Sequence, residues 1–405
     1  MGSAILIFGL MVFFPLGAEG QVVSLNLIEG LGKKLFFDKN LSDPKGQSCA
    51  TCHDPAAGWT GESSQINATE SVYRGARQER AGNRKPPSAA YATQSPVFYY
   101  DPKEGHFVGG NFWDGRATGW LLGNPAAEQA QGPFVNPVEQ NIRDEKTVVQ
   151  KVCGSEYATL LRQVYGKETC GNVINAYNAV GQALAAYENS KEVNAFTSKY
   201  DYYLKDPKKY PLTSQELSGL RLFEDEKKGN CAACHPNRPD ALGGPPLFTD
   251  FTYDNLGFPK NLQNPWYKMP KNLNPDGVKW VDPGLSGFLI TVPRFANHAE
   301  TSLGKHKVPT LRNVDKRPSP SFVKAYGHNG YFKSLKDVVH FYNLRDVLPR
   351  CAKIQNGKAG KNCWPEPEIL NNVNTKELGN LKLTEDEELA IVAFLKTLSD
   401  GWSPN

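Results

Sequence analysis

At 405 residues the chain exceeds the usual size of one hydrophobic core, so two domains are expected. With 40% hydrophobic and 22% charged residues its composition excludes a disordered protein, while 37 glycines and 29 prolines make it loop-rich. A net charge of +4, with no run of five or six Lys or Arg, argues against a nucleic acid partner.

Residues 4–17 are apolar but too short to span a bilayer, and small residues Ala18 and Gly20 follow. This is the pattern of a secretory signal over residues 1–20, with export to the periplasm or cell surface and no stable membrane insertion. The run Leu31–Leu41 then leads to Cys49-Ala-Thr-Cys52-His53. Between Val173 and Tyr187, residues Ile174, Tyr177, Val180, Ala183 and Leu184 recur at helical spacing. They predict a long helix joining two halves, with a boundary near Asn172 that divides residues 21–172 from 173–405.

A second amphipathic run, Leu217–Phe223, leads to Cys231-Ala-Ala-Cys234-His235, so the motif is duplicated, one copy per domain. From Pro239 to Pro283 the density of Pro, Gly and Asn predicts a long irregular excursion. After Ser334 as N-cap, Leu335, Val338, Val339 and Tyr342 follow i, i+3, i+4, i+7 spacing, which turns Tyr342 inward. Thr384 with Glu387 three residues on opens a closing helix that should end near Ser399. Strand signals are sparse, and the fold is expected to be mainly α.

The chemistry lies in the two Cys-x-x-Cys-His motifs. Two thiols at this spacing add to the vinyl groups of one haem, and the adjacent imidazole becomes its axial iron ligand. A four-cysteine zinc site or a redox dithiol leaves the histidine after each pair unexplained. His53 and His235 are therefore the expected proximal ligands of two covalent haems, attached through Cys49, Cys52, Cys231 and Cys234. The other four cysteines suit an exported protein with disulfides. Local pairing, Cys153 with Cys170 and Cys351 with Cys363, is the simplest arrangement of the three that four cysteines allow.

Several further segments resemble the bacterial di-haem cytochrome c peroxidase and MauG superfamily. They are Leu31-Gly-Lys-Lys-Leu-Phe-Phe-Asp38, Phe112-Trp-Asp-Gly-Arg-Ala117, Lys307-Val-Pro-Thr-Leu-Arg-Asn313 and His328-Asn-Gly330, and the likeness spans nearly the whole mature chain. The resemblance implies two cytochrome-c-like domains with haems at their interface. It makes Trp113 the aromatic relay between the haems, and Gln129 and Glu139 the distal pair, with Glu139 as acid/base. The stretch from Trp113 to Gln129 is longer than in the family, as if residues were inserted around Trp120–Pro125.

Many members place a loop histidine over the N-terminal iron, but residues 60–100 contain no His. That haem is expected to be open to peroxide, with His106 as a nearby candidate ligand. Where many members ligate the C-terminal iron with Met, this chain has Tyr342, as MauG-like members do; Met269 is the rival. Anionic oxygen ligation favours higher oxidation states of iron. Asn83 resembles an asparagine that helps hold one calcium ion between the domains. His328 is expected beside the C-terminal haem, and His298, His306 and His340 carry no assigned role.

The resulting expectation is a MauG-like peroxidase that reduces hydrogen peroxide and oxidises an external substrate, such as a tryptophan of a partner protein. A surface Trp shortly before the second motif, present in the tryptophan-oxidising member, is missing from Leu222–Asn230; Trp266 and Trp280 offer another exit route. The alternatives are a conventional cytochrome c peroxidase, fed by a small cytochrome or copper protein, and a non-enzymatic di-haem electron carrier.

Overall fold

The computed structural model describes residues 24–240 and 243–404, and the expected signal sequence lies outside them. The first half opens with α1 (Leu27–Phe37), whose Asn26 and Glu29 form a reciprocal capping box. A single turn, α2 (Cys49–Cys52), carries the first motif, and α3 (Ser64–Ala68) follows. A hairpin of β1 (Tyr99–Asp101) and β2 (His106–Val108) sets Tyr99 opposite Val108. Then come α4 (Pro125–Val135), α5 (Glu145–Cys153), α6 (Ala158–Tyr165) and α7 (Val173–Glu188).

Helix α7 is the expected long helix, over Val173–Glu188. It packs on α1, α4 and α5 and buries residues around nearly its whole circumference, from Ala176 and Tyr177 to Leu184, Ala185 and Tyr187. Ile174, expected on its apolar face, is instead 66% exposed in the first turn, ahead of the crossing. The first core runs on to Val193 and the second begins at Tyr200. Asn172 is the N-cap of α7, whose buried residues belong to the first core.

The second half contains α8 (Lys199–Lys205), α9 (Ser214–Glu224), α10 (Leu285–Leu289), α11 (Leu335–Leu344) and α12 (Glu385–Lys396). A short pair, β3 (Tyr253–Asp254) with β4 (His306–Lys307), pins the irregular excursion at Pro239–Pro283. Thr384 and Glu387 form the expected capping box, but α12 stops at Lys396 because Thr397 caps it.

The duplication extends beyond the motifs. A Cβ on Gly32 of α1 would lie 1.9 Å from the Ala183 carbonyl oxygen of α7, and one on Gly219 of α9 would lie 1.9 Å from that of Ala390 in α12. Only glycine lets backbones approach so closely. Four residues after each glycine stands a fully buried phenylalanine, Phe36 or Phe223, and each helix leads to a Cys-x-x-Cys-His. Each half is thus a crossed helix pair presenting one motif.

The halves are tied by buried polar bridges. Arg84 clamps Asp114 at 2.6 Å and Asp282 at 2.6 Å, and the Tyr91 phenol donates to Asp400 at 2.7 Å. The Lys324 ammonium donates to the carbonyl oxygens of Ala57, Asn313 and Lys316 at 2.8–3.0 Å. Disulfides join Cys153 to Cys170 and Cys351 to Cys363, the local pairing. Among the described residues no helix is long and apolar enough to cross a membrane.

Candidate functional site

Both motifs open onto one continuous cavity between the halves, walled by all four free cysteines, His53 and His235, with Trp113, Gln129, Glu139 and Tyr342. The turn of α2 brings the His53 amide to the Cys49 carbonyl at 3.0 Å, and His235 repeats this with Cys231 at 2.9 Å. Each ring is then aimed by its Nδ1, which donates to Trp59 O at 3.1 Å in one half and to Phe248 O at 2.8 Å in the other. A carbonyl can only accept, so Nδ1 carries the proton and Nε2 keeps its lone pair. Burial pushes both imidazoles below their ordinary range, His53 to about 4, which preserves those lone pairs. The thiols do not gather for zinc: among the described residues the His, Cys and carboxylate group within ligand distance is Asp282, His306 and His328.

Glu139 follows α4 in a tight turn, where Asn136 Nδ2 donates to its carboxylate at 3.0 Å. Burial in the cavity wall raises its pKa, against the opposing pull of Arg116 and the Asn136 hydrogen bond. Gln129 stands on the cavity face of α4, whereas Gln131, two residues on, turns to α7 and donates to Tyr177 O at 3.1 Å. The segment around Trp120–Pro125 closes on itself: Glu128 accepts from the amides of Gly119, Leu121 and Leu122 at 2.6–2.9 Å. Trp113 and Gln129 both line the cavity.

Trp113 is buried, its Nε1 donating to Lys85 O at 2.8 Å and its ring meeting His328 edge-on at 6.4 Å. Tyr342 projects from α11 into the cavity near Cys231 and Cys234, and its phenol has no hydrogen-bond partner among the described residues. Burial holds its pKa well above the usual range. Met269 does not line the cavity; its sulfur faces the Ala81 amide at 3.3 Å. His106 is on the β1–β2 hairpin opposite Asp101, also off the cavity. Asn83 is outside the cavity wall as well, and its carbonyl accepts from Asn264 at 2.8 Å.

The family model of di-haem cytochrome c peroxidases matches residues 28–209. The methylamine utilization protein MauG of Paracoccus denitrificans is 34% identical over 375 residues, covering 92% of this chain and 88% of its own. The chain belongs to the di-haem cytochrome c peroxidase and MauG family. The crystal structure of the diheme peroxidase BthA from Burkholderia thailandensis aligns with a TM-score of 0.75 at 31% identity, over 92% of this chain and 86% of that one. Cytochrome c551 peroxidase of Pseudomonas aeruginosa is 33% identical over 219 residues, 54% of this chain and 52% of its own.

The peroxidase's own residues fit two c-type haems. Two thiol pairs stand beside two imidazoles whose Nε2 lone pairs are left free, and an orphan phenol faces the second pair across the same cavity. Sequence reasoning missed a cluster in the cavity wall beside Trp113. His306 and His328 stack at 3.6 Å with planes 9° apart, flanked by Asp282 at 3.3 Å and Glu368 at 3.9 Å. Parallel rings cannot aim two lone pairs at one ion, so the geometry is that of a stack and not a chelate. Burial, followed by His328, pushes His306 down to about 4. The sequence signal was faint: His328 lies in the His-Asn-Gly segment, but nothing marks His306.

Proposed function

We propose that this peroxidase reduces hydrogen peroxide at an open haem on His53 and oxidises an external substrate through a second haem held by His235 and Tyr342. His53 would hold a haem, which would supply the electrons for cleaving the peroxide bond. Glu139, beside Gln129, takes the proton from the proximal peroxide oxygen and delivers it to the departing one, and Asn136 fixes the carboxyl for that transfer. Trp113 would relay electrons between the two haems, and Tyr342 would help hold the second one through an anionic oxygen, which favours oxidised iron. The observation that carries this reading is the unpartnered Tyr342 phenol facing the second motif while Met269 is engaged elsewhere. Asn83 is proposed to help bind calcium between the halves, and the apolar N-terminus to export the protein to the periplasm or cell surface.

The test is one equivalent of peroxide added to the oxidised holoprotein, followed by an assay with reduced cytochrome c. Fast haem spectral change without cytochrome turnover is expected for a MauG-like oxidase. Robust cytochrome turnover identifies a conventional cytochrome c peroxidase, and an inert protein identifies a carrier.

A further inference from the structure

We propose that oxidising equivalents leave the protein at the Trp266–Trp280 pair, reached from Trp113 through His328, Glu368 and Tyr267, and that the lysine-rich face around this pair docks an acidic one-electron donor protein. The inference rests on the peroxide-driven reading above. The contacts are continuous. His328, edge-on to Trp113, places Nε2 3.9 Å from one Glu368 oxygen, and the Tyr267 phenol donates to the other at 3.5 Å. The Tyr267 ring lies 6.2 Å from Trp280, which meets Trp266 at 6.0 Å. Trp113, His328 and Glu368 wall the cavity, Tyr267 is buried, and the two indoles are partly exposed.

One arrangement marks this route out. The Lys260 ammonium sits 4.5 Å over the Tyr267 ring, so a cationic ring there is disfavoured and the phenol must lose its proton as it loses its electron. Glu368 is in place to receive that proton. In one pass Tyr267 gives an electron toward Trp113 and its proton to Glu368. The phenoxyl then takes an electron from Trp280 and the proton back, and the indole is refilled by the docked donor. Two passes supply the two electrons that, with two protons, convert one peroxide into two waters.

The face has the chemistry of a docking surface. Residues 260–281 carry Lys260, Lys268, Lys271 and Lys279 against a single acid, Asp276. Leu262, Val278 and Val281 are exposed there at 71%, 65% and 41%. Apolar contacts ringed by cations select and steer an acidic partner.

Holoprotein treated with peroxide and no donor should oxidise its own exit: an indole passes two electrons back along the route to the peroxide-oxidised centre, takes one oxygen from water and releases two protons to solvent. Peptide mass spectrometry should find that oxygen on Trp266 or Trp280 and not on Trp120, which is 40% exposed and off the route. Tyr267→Phe should abolish the label and prolong the peroxide-induced haem spectrum several-fold. Label on Trp120, or label unchanged in Tyr267→Phe, overturns the route. A haem spectrum that ignores peroxide overturns the underlying reading instead. Lys268→Glu with Lys279→Glu should slow at least five-fold the single-turnover decay of the peroxide-oxidised haem spectrum by a reduced acidic copper protein, while leaving the haem–peroxide reaction unmoved; an unchanged decay rate overturns the docking face.

Discussion

Replacing Glu139 with Gln removes the proton-transfer group and little else. The amide keeps the size of the side chain and still offers an oxygen to Asn136 Nδ2, now at 3.0 Å, so the turn after α4 should hold. It also removes an ionisable group that burial already disfavours in its charged form, so stability should not fall. What is lost is positioned acid/base catalysis, worth roughly 10²–10⁴-fold. At about 1.36 kcal/mol per tenfold this raises the barrier by ~3–5 kcal/mol. Stopped-flow mixing of the ferric holoprotein with peroxide reads this directly as the rate of haem spectral change. A variant that reacts as fast as the parent, with an unaltered melting curve, would refute the assignment of Glu139.

The helix crossings predict that Gly219→Ala is destabilising although alanine favours helix by ~1 kcal/mol, because the new Cβ meets the Ala390 carbonyl. A net loss of about 2 kcal/mol in denaturant unfolding is expected from overpacking, and a gain would contradict the crossing. Burial raises the Glu188 carboxyl from 4.5 to about 8, so the folded protein holds a proton that the unfolded chain releases above pH 4.5. Stability should therefore drop as pH rises from about 5 to 8, by on the order of 3–5 kcal/mol at most, and Glu188→Gln should remove that part of the slope. Melting curves of parent and variant at both pH values check this; an unchanged difference would contradict it.

The haem motifs were legible because covalent attachment and ligation demand fixed residue types at fixed spacing. The capped ends of α11 and α12 were legible for a similar reason: Ser334 and Thr384 bond their own helix starts. The carbonyls of Trp59 and Phe248 that orient the two imidazoles were not, since any residue supplies a carbonyl. The extent of helix α7 was legible, but its near-complete enclosure was not, because one apolar face is what periodicity detects. A helix enclosed by α1 on one side and α4 on another buries small residues such as Ala179 and Ala185 that carry little periodic signal. The buried Lys324 bridge and the His306–His328 stack join segments far apart in the chain and have no local pattern at all.

The central claim is an open iron on His53 paired with a closed iron on His235 and Tyr342. Low-temperature electron paramagnetic resonance of the ferric holoprotein, with Tyr342→Phe beside it, tests that claim most directly. The account predicts one high-spin and one low-spin haem, with the substitution altering the low-spin signal alone. Two low-spin haems in the parent, or a low-spin signal indifferent to loss of the phenol, would contradict it.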